Sequence, residues 1–276
     1  MKHPNRLISK IVATAATAIL FGVATFAHAD VLENIKQRGK IIVATQAASP
    51  YFAFMDSQGK FKGSDVEVAE AYAKSLGVGI EFIPTTNDSR IAAIQTGKAD
   101  IIFGALTLTA ERAKAVQFSR PYEPNLNIVA GPPDKAMPDY KSIKSIGFSK
   151  GSTMDVLITA QAPPGLVIRR FDDEASTMQA YLSGQVDAVG CSTPLLDTIN
   201  KARPGSAQMK FVVATLYIGA GMKKGEKALN ESVNAFIEKA EADGTLAKIY
   251  KKWSGLDMAP LAKKVDGVPF TVVDSN

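Results

Sequence analysis

A chain of 276 residues is long enough for two modest domains or one large one. Its 32 basic and 27 acidic residues give a formal charge of +5, which falls to +2 if the basic N-terminal segment is removed, and that gives no footing for nucleic-acid binding. A single cysteine, Cys191, rules out an intramolecular disulfide.

The first 29 residues read as a cleaved secretory signal. Lys2, Arg6 and Lys10 precede a short apolar run over 11–21, and Ala27 and Ala29 supply the small residues before Asp30. The apolar run is too short to span a bilayer. Both histidines, His3 and His28, lie in this segment, so the exported chain would carry none. Histidine-based triads, histidine acid–base chemistry and most zinc sites are excluded together. Cys191 is far from the cleavage point and cannot be an acylated first residue; burial as a small hydrophobe is its expected role. The expectation is a soluble protein of the periplasm of a Gram-negative cell, without metal or cofactor.

Strands and helices then alternate. Strands are predicted over 40–45, 80–84 and 100–104, with a short extended stretch over 49–54 and a turn at 56–59. A helix over 65–76 places Val66, Ala69, Ala73 and Leu76 at helical spacing and stops at Gly77. A second helix runs over 88–96 and stops at Gly97. The second half repeats the pattern, with strands over 145–148, 166–168 and 187–190 and helices over 154–160 and 174–182. The stretch 121–133, rich in proline, reads as a separator between two lobes rather than part of one continuous sheet. A strand over 216–220, a helix over 228–241 and helical turns over 246–253 close the chain. Alternation of this kind predicts α/β layers.

Two segments share one form. Gln95-Thr96-Gly97-Lys98-Ala99-Asp100-Ile101-Ile102 and Leu182-Ser183-Gly184-Gln185-Val186-Asp187-Ala188-Val189 are each a helix stop followed by a strand. Both strands run into small polar loops, 104–107 and 190–193. Ligands of open α/β sheets meet such loops at the carboxyl ends of strands, so two of them facing each other would frame a cleft.

Three ordered segments resemble the family 3 extracytoplasmic solute-binding proteins of polar amino-acid ABC transporters. They are Thr45 to Phe54 with Gly59 to Val66, Leu106 to Ala113 with Phe118 to Tyr122, and Asp243 to Trp253. The resemblance implies an α/β clamshell in which each lobe is a mixed sheet flanked by helices and two strands form the hinge. The first lobe would take 30–122, the second 123–215, and a return strand with C-terminal helices over 216–276 would rejoin the first. The implied partners are a small carboxylate-bearing solute and an inner-membrane permease powered by ATP, with the binding protein a monomer.

The same resemblance assigns the site. Arg112 would grip the solute carboxylate, which suits a guanidinium because its rigid fork of donors matches two carboxylate oxygens. Thr107 would add its N–H and hydroxyl, and Ala105 its main chain near the solute amine. Ser152 and Thr153 match an anion loop on the second lobe, where helix-terminal N–H groups point outward; a helix cap is the alternative and can coexist. Phe52 is an aromatic wall or a core residue. Ser49 stands where an aromatic lid is common, which enlarges the pocket or moves stacking to Tyr51. Arg90 is either a second fork for a second carboxylate or a solvated helix arginine.

Two departures bear on the solute. Ser192 replaces an aspartate that neutralises the ammonium, and Gln46 replaces one that helps hold cationic side chains. An ammonium buried against a hydroxyl is poorly compensated. Cationic amino acids are therefore disfavoured, leaving an acidic or neutral amino acid, held with help from Glu123 or carbonyl groups, or an amine-free organic acid. A cyclohexadienyl-dehydratase-like enzyme, with Glu123 or Glu174 as its acid, and a receptor-docking sensor are the rival readings.

Overall fold

The structure is a computed structural model that describes residues 30–272. The segment expected to be a signal peptide, 1–29, lies outside the described residues. Asp30 caps the first helix, α1 (Val31–Arg38), by accepting a hydrogen bond from the Leu32 N–H, and β1 (Lys40–Gln46) follows. β2 (Ala48–Ser49), β3 (Ala53–Met55) and β4 (Phe61–Lys62) form a small antiparallel sheet beside it. The first passage continues through α2 (Ser64–Leu76), β5 (Gly79–Thr85), α3 (Arg90–Gln95), β6 (Ile101–Ile102) and α4 (Ala110–Ala115). The chain crosses on β7 (Gln117–Gly131) and builds β8 (Ser145–Ser149), α5 (Thr153–Gln161), β9 (Val167–Phe171), α6 (Glu174–Leu182), β10 (Ala188–Ser192) and α7 (Thr193–Ala202). It returns on β11 (Gln208–Met222) and ends in α8 (Lys227–Ala242) and α9 (Thr245–Ser254).

The apolar core divides in two. The buried members of two clusters come from residues up to Tyr122 and from Ile218 onward, with Tyr72, Phe103 and Ile237 among them. Those of the other two come from Ile128 to Ala207, with Phe148, Val189 and Ile199 among them. Each fully buried aliphatic or aromatic side chain contributes about 1.5–3 kcal/mol of burial energy. Separate interiors joined by two strands define a two-lobed clamshell.

The two lobes share one continuous ladder, contrary to the expectation that 121–133 separates them: eight strands follow one hydrogen-bonded order, β5-β1-β6-β11-β7-β10-β8-β9. β7 and β11 pair antiparallel along their length and carry the ladder from lobe to lobe. The supposed separator at 121–133 is largely β7 itself. Pro121 and Pro124 are tolerated because β10 pairs only with Asn127 to Ala130, so the earlier part of β7 has a strand on one side alone. A proline there removes no ladder bond from a second neighbour. The β11 register slips near Pro121, between Ile218 and Gly219 and again before Gly221, as a strand bulging around a missing donor would.

β1 runs parallel to β5 and β6, and β8 runs parallel to β9 and β10. The carboxyl ends of these two sets meet across the cleft, which brings the ends of β1 and β6 opposite the ends of β8 and β10.

Candidate functional site

The cleft holds about 490 Å³ of empty space, counting the part open to solvent. The first lobe lines it with Phe52, Asn87, Arg90, Ala105 and Thr107, and the second with Ser149, Ser152, Thr153, Glu174 and Ser192; Asn125 and Asn127 contribute from β7. Seven of the ten residues expected at the site are thus brought to one cavity: Phe52, Arg90, Ala105, Thr107, Ser152, Thr153 and Ser192.

The first lobe's side is held rigidly from behind. Ala105 lies in the left-handed region at φ 49°, a conformation that costs a non-glycine residue energy and persists only when neighbours enforce it. Its N–H donates to Asp65 Oδ2, and Arg90 Nη1 donates to the carbonyls of Gly104 at 2.7 Å and Ala105 at 3.4 Å. Tyr122 donates to the other Asp65 oxygen at 2.7 Å. Arg90 is 1% exposed, so it is no solvated helix arginine. Burial lowers its pKa to about 10, although the charges of Glu174 and Asp65 oppose the shift. Its Nε has no partner.

Arg112 spans the gap between lobes. Thr109 caps the short α4 by accepting from the Arg112 N–H at 3.2 Å. The guanidinium donates to the Thr107 carbonyl at 3.1 Å, to Thr153 Oγ1 at 3.0 Å and to the Gly151 carbonyl at 3.2 Å. All three acceptors are neutral, and among the described residues no carboxylate lies within ion-pair distance. Desolvation, then the like charge of Arg90, pulls the Arg112 pKa down to about 9. Arg112 is absent from the cavity wall itself, since its fork is spent on Thr107, Gly151 and Thr153 at the rim.

On the second lobe, Ser152 is the N-cap of α5, its hydroxyl accepting from the Asp155 N–H at 3.1 Å. Gly151 N–H donates to the Asp155 carboxylate at 3.0 Å, so one donor of the anion loop is already occupied. Ser192 ends β10 and makes no side-chain cap for α7.

Besides Arg112, two of the ten, Gln46 and Ser49, lie off this wall, as do Tyr51 and Glu123. Gln46 lines a neighbouring cavity and donates to Asn87 Oδ1 at 2.8 Å. Ser49 is buried in β2 with its hydroxyl unpartnered and faces neither cavity, because β2 pairs it into the side sheet. Tyr51 is not on the cavity wall; its ring packs edge-on against Phe52 at 4.7 Å and its hydroxyl donates to Glu123 at 2.8 Å. Glu123 therefore sits behind the cavity, and burial followed by repulsion from Asp65 holds its carboxyl up at about 8. It is not among the residues of the cavity wall.

Sequence reading missed the polar bridge at the mouth of the cleft. Asn87 Nδ2 donates to Ser149 Oγ at 3.0 Å and to Glu174 Oε1 at 3.2 Å, tying the lobes together beside the cavity. Asn125 and Asn127, two apart on β7, present a buried amide pair from the hinge; their period of two within a strand was the available signal. Among the described residues no cluster of side chains could hold a metal ion, and no helix is long and apolar enough to cross a membrane.

A clamshell with an anion-seeking rim and a polar interlobe cavity defines a solute-binding protein. The chain belongs to the bacterial extracellular solute-binding proteins, family 3, whose profile matches residues 41–256. It is 28% identical over 256 residues to the L-cystine-binding protein TcyJ of Escherichia coli (strain K12), covering 88% of this chain and 94% of that protein. It is 30% identical to the ABC transporter glutamine-binding protein GlnH of Bacillus subtilis (strain 168), over 83% of this chain and 86% of that protein. Among solved structures, an ancestral amino acid-binding protein described as a precursor of cyclohexadienyl dehydratase superposes with a TM-score of 0.75 at 31% identity, covering 81% of this chain and 99% of that one. The solute receptor for L-cysteine of Neisseria gonorrhoeae gives 0.75 at 30% identity, over 80% and 92%.

Proposed function

We propose that this chain, freed of residues 1–29 on export to the periplasm, captures an acidic or neutral amino acid for an inner-membrane ABC permease and does so as a monomer. The first lobe takes 30–122 with 216–276, the second 123–215, and closure on β7 and β11 brings the two faces onto the solute. The observation that carries the reading is Arg112: a largely desolvated guanidinium between the lobes whose acceptors are all neutral. A solute carboxylate would replace neutral oxygens with charge and restore the compensation that burial removed. Thr107, Thr153 and Ser152 would flank it, with Phe52 as the apolar wall and Ala105 offering main-chain contacts.

Charge supports the choice of solute class. Two guanidiniums, Arg90 and Arg112, face or border the cavity, against one carboxylate, Glu174, on its wall. A cationic side chain would add to an excess of positive charge, whereas a zwitterion or an acidic amino acid would not. Closure excludes water and strengthens each of these contacts, and it creates the shape that a permease can recognise.

Mass spectrometry of small molecules released from purified protein, followed by a thermal-shift panel of amino acids and organic acids, tests the reading. The expected result is an amino acid whose stabilisation grows with concentration through linkage. Stabilisation by amine-free acids alone would contradict it.

A further inference from the structure

We propose that Glu174 accepts the ammonium group of the solute, so that this chain reads the amine from α6 while Arg112 reads the carboxylate. The inference rests on the amino-acid reading above and extends it. Asp173 caps α6 by accepting from the Ser176 N–H at 2.7 Å, which fixes the backbone from which Glu174 projects. One carboxylate oxygen, Oε1, is positioned by Ser149 Oγ at 2.8 Å and Asn87 Nδ2 at 3.2 Å. The other, Oε2, is buried and has no hydrogen-bond partner, although the side chain forms part of the cavity wall.

A buried carboxylate oxygen without a donor is costly, and Arg90, whose charge reaches Glu174, gives it no hydrogen bond. Among the described residues no lysine or arginine lies within ion-pair distance of Glu174; Arg90 feels its charge but directs Nη1 at the Gly104 and Ala105 carbonyls. Ser192, at the end of β10, offers only a neutral hydroxyl. The missing donor must then come from the occupant. An ammonium is the group that supplies both positive charge and N–H donors at this spot.

The test uses the full exported chain and its E174Q variant, titrated calorimetrically with the amino acid that stabilises it most among the twenty L-amino acids and L-cystine, and with the corresponding 2-oxo acid. Glutamine preserves the Oε1 acceptor, so the Asn87 and Ser149 bonds survive. The amino acid should bind E174Q about ten- to a hundred-fold more weakly, with the 2-oxo acid unchanged or tighter. Unchanged amino-acid affinity, or equal losses for both compounds, overturns the role of Glu174 alone. Failure of the wild-type protein to bind any amino acid overturns the amino-acid reading and this inference with it. Should E174Q not fold, the wild-type preference decides: at least tenfold for the amino form supports the inference, and equal affinity contradicts it.

Discussion

The two faces of the cleft are built differently. On the first lobe, Ala105 is locked in a left-handed conformation by Asp65 and Arg90, and Tyr122 locks Asp65 in turn. Its polar groups point inward, toward one another. On the second lobe, Glu174 Oε2 lacks a partner and Ser192 caps nothing. The first face is therefore braced by its own charged network, although Arg90 Nε stays unpartnered, and the second leaves a carboxylate oxygen free for an occupant. A ligand that meets the preorganised face first forfeits little conformational entropy, and closure then satisfies the second.

Breaking the first lobe's scaffold should have the largest effect. Arg90→Leu removes the donor to Gly104 and Ala105 and leaves Asp65 without its buried counter-charge. It should cost about 3–5 kcal/mol of stability, read as a lowered chemical-denaturation midpoint. A loss below about 1 kcal/mol would show that the loop needs no such brace.

The buried acids behind that face predict a pH effect of opposite sign. Burial raises Asp65 from 3.8 to about 6 and Glu123 from 4.5 to about 8. Both carboxyls hold their protons more tightly folded than unfolded, so stability is fully present below the unfolded values and declines as pH rises through about 8. Glu123→Gln keeps an acceptor for Tyr51 and should flatten this decline, gaining on the order of 2 kcal/mol at pH 8 with little change at pH 4. A variant whose melting temperature follows the wild-type pH curve would refute the assignment.

On the second face the effects should be smaller. Gly151 has φ 67°, and a Cβ there would overlap Asp88 Oδ1 of the opposite lobe. Gly151→Ala should therefore weaken solute affinity by roughly ten-fold through the overlap in the closed form, and its left-handed backbone should cost the unliganded protein about 1 kcal/mol as well. Ser152→Ala removes the α5 cap and should cost about 1 kcal/mol of stability.

Much of the fold was legible because local signals agreed with tertiary structure. Glu174 to Leu182 form α6 as periodicity predicts, and α2 gains only Ser64 at its start. Two hinge strands were implied by the resemblance and 216–220 falls within β11, but β7 was not legible locally, since Pro121 and Pro124 signal a break unless one knows that β7 has a single neighbour there. Thr107, Thr153 and Ala105, singled out through motif resemblance, lie on the cavity wall, whereas Ser49, paired through β2 and β3, does not. Asn87 and Glu174 act through contacts 62 and 25 residues away in the chain, both to Ser149, and no local pattern reports those.

The central claim is that a solute carboxylate meets Arg112 between the lobes. Calorimetric titration of the wild type and of Arg112→Ala with the retained amino acid tests it most directly. The account predicts a loss of about 2–5 kcal/mol in binding free energy with the unliganded fold intact. An Arg112→Ala protein that binds its solute as tightly as the wild type would contradict it.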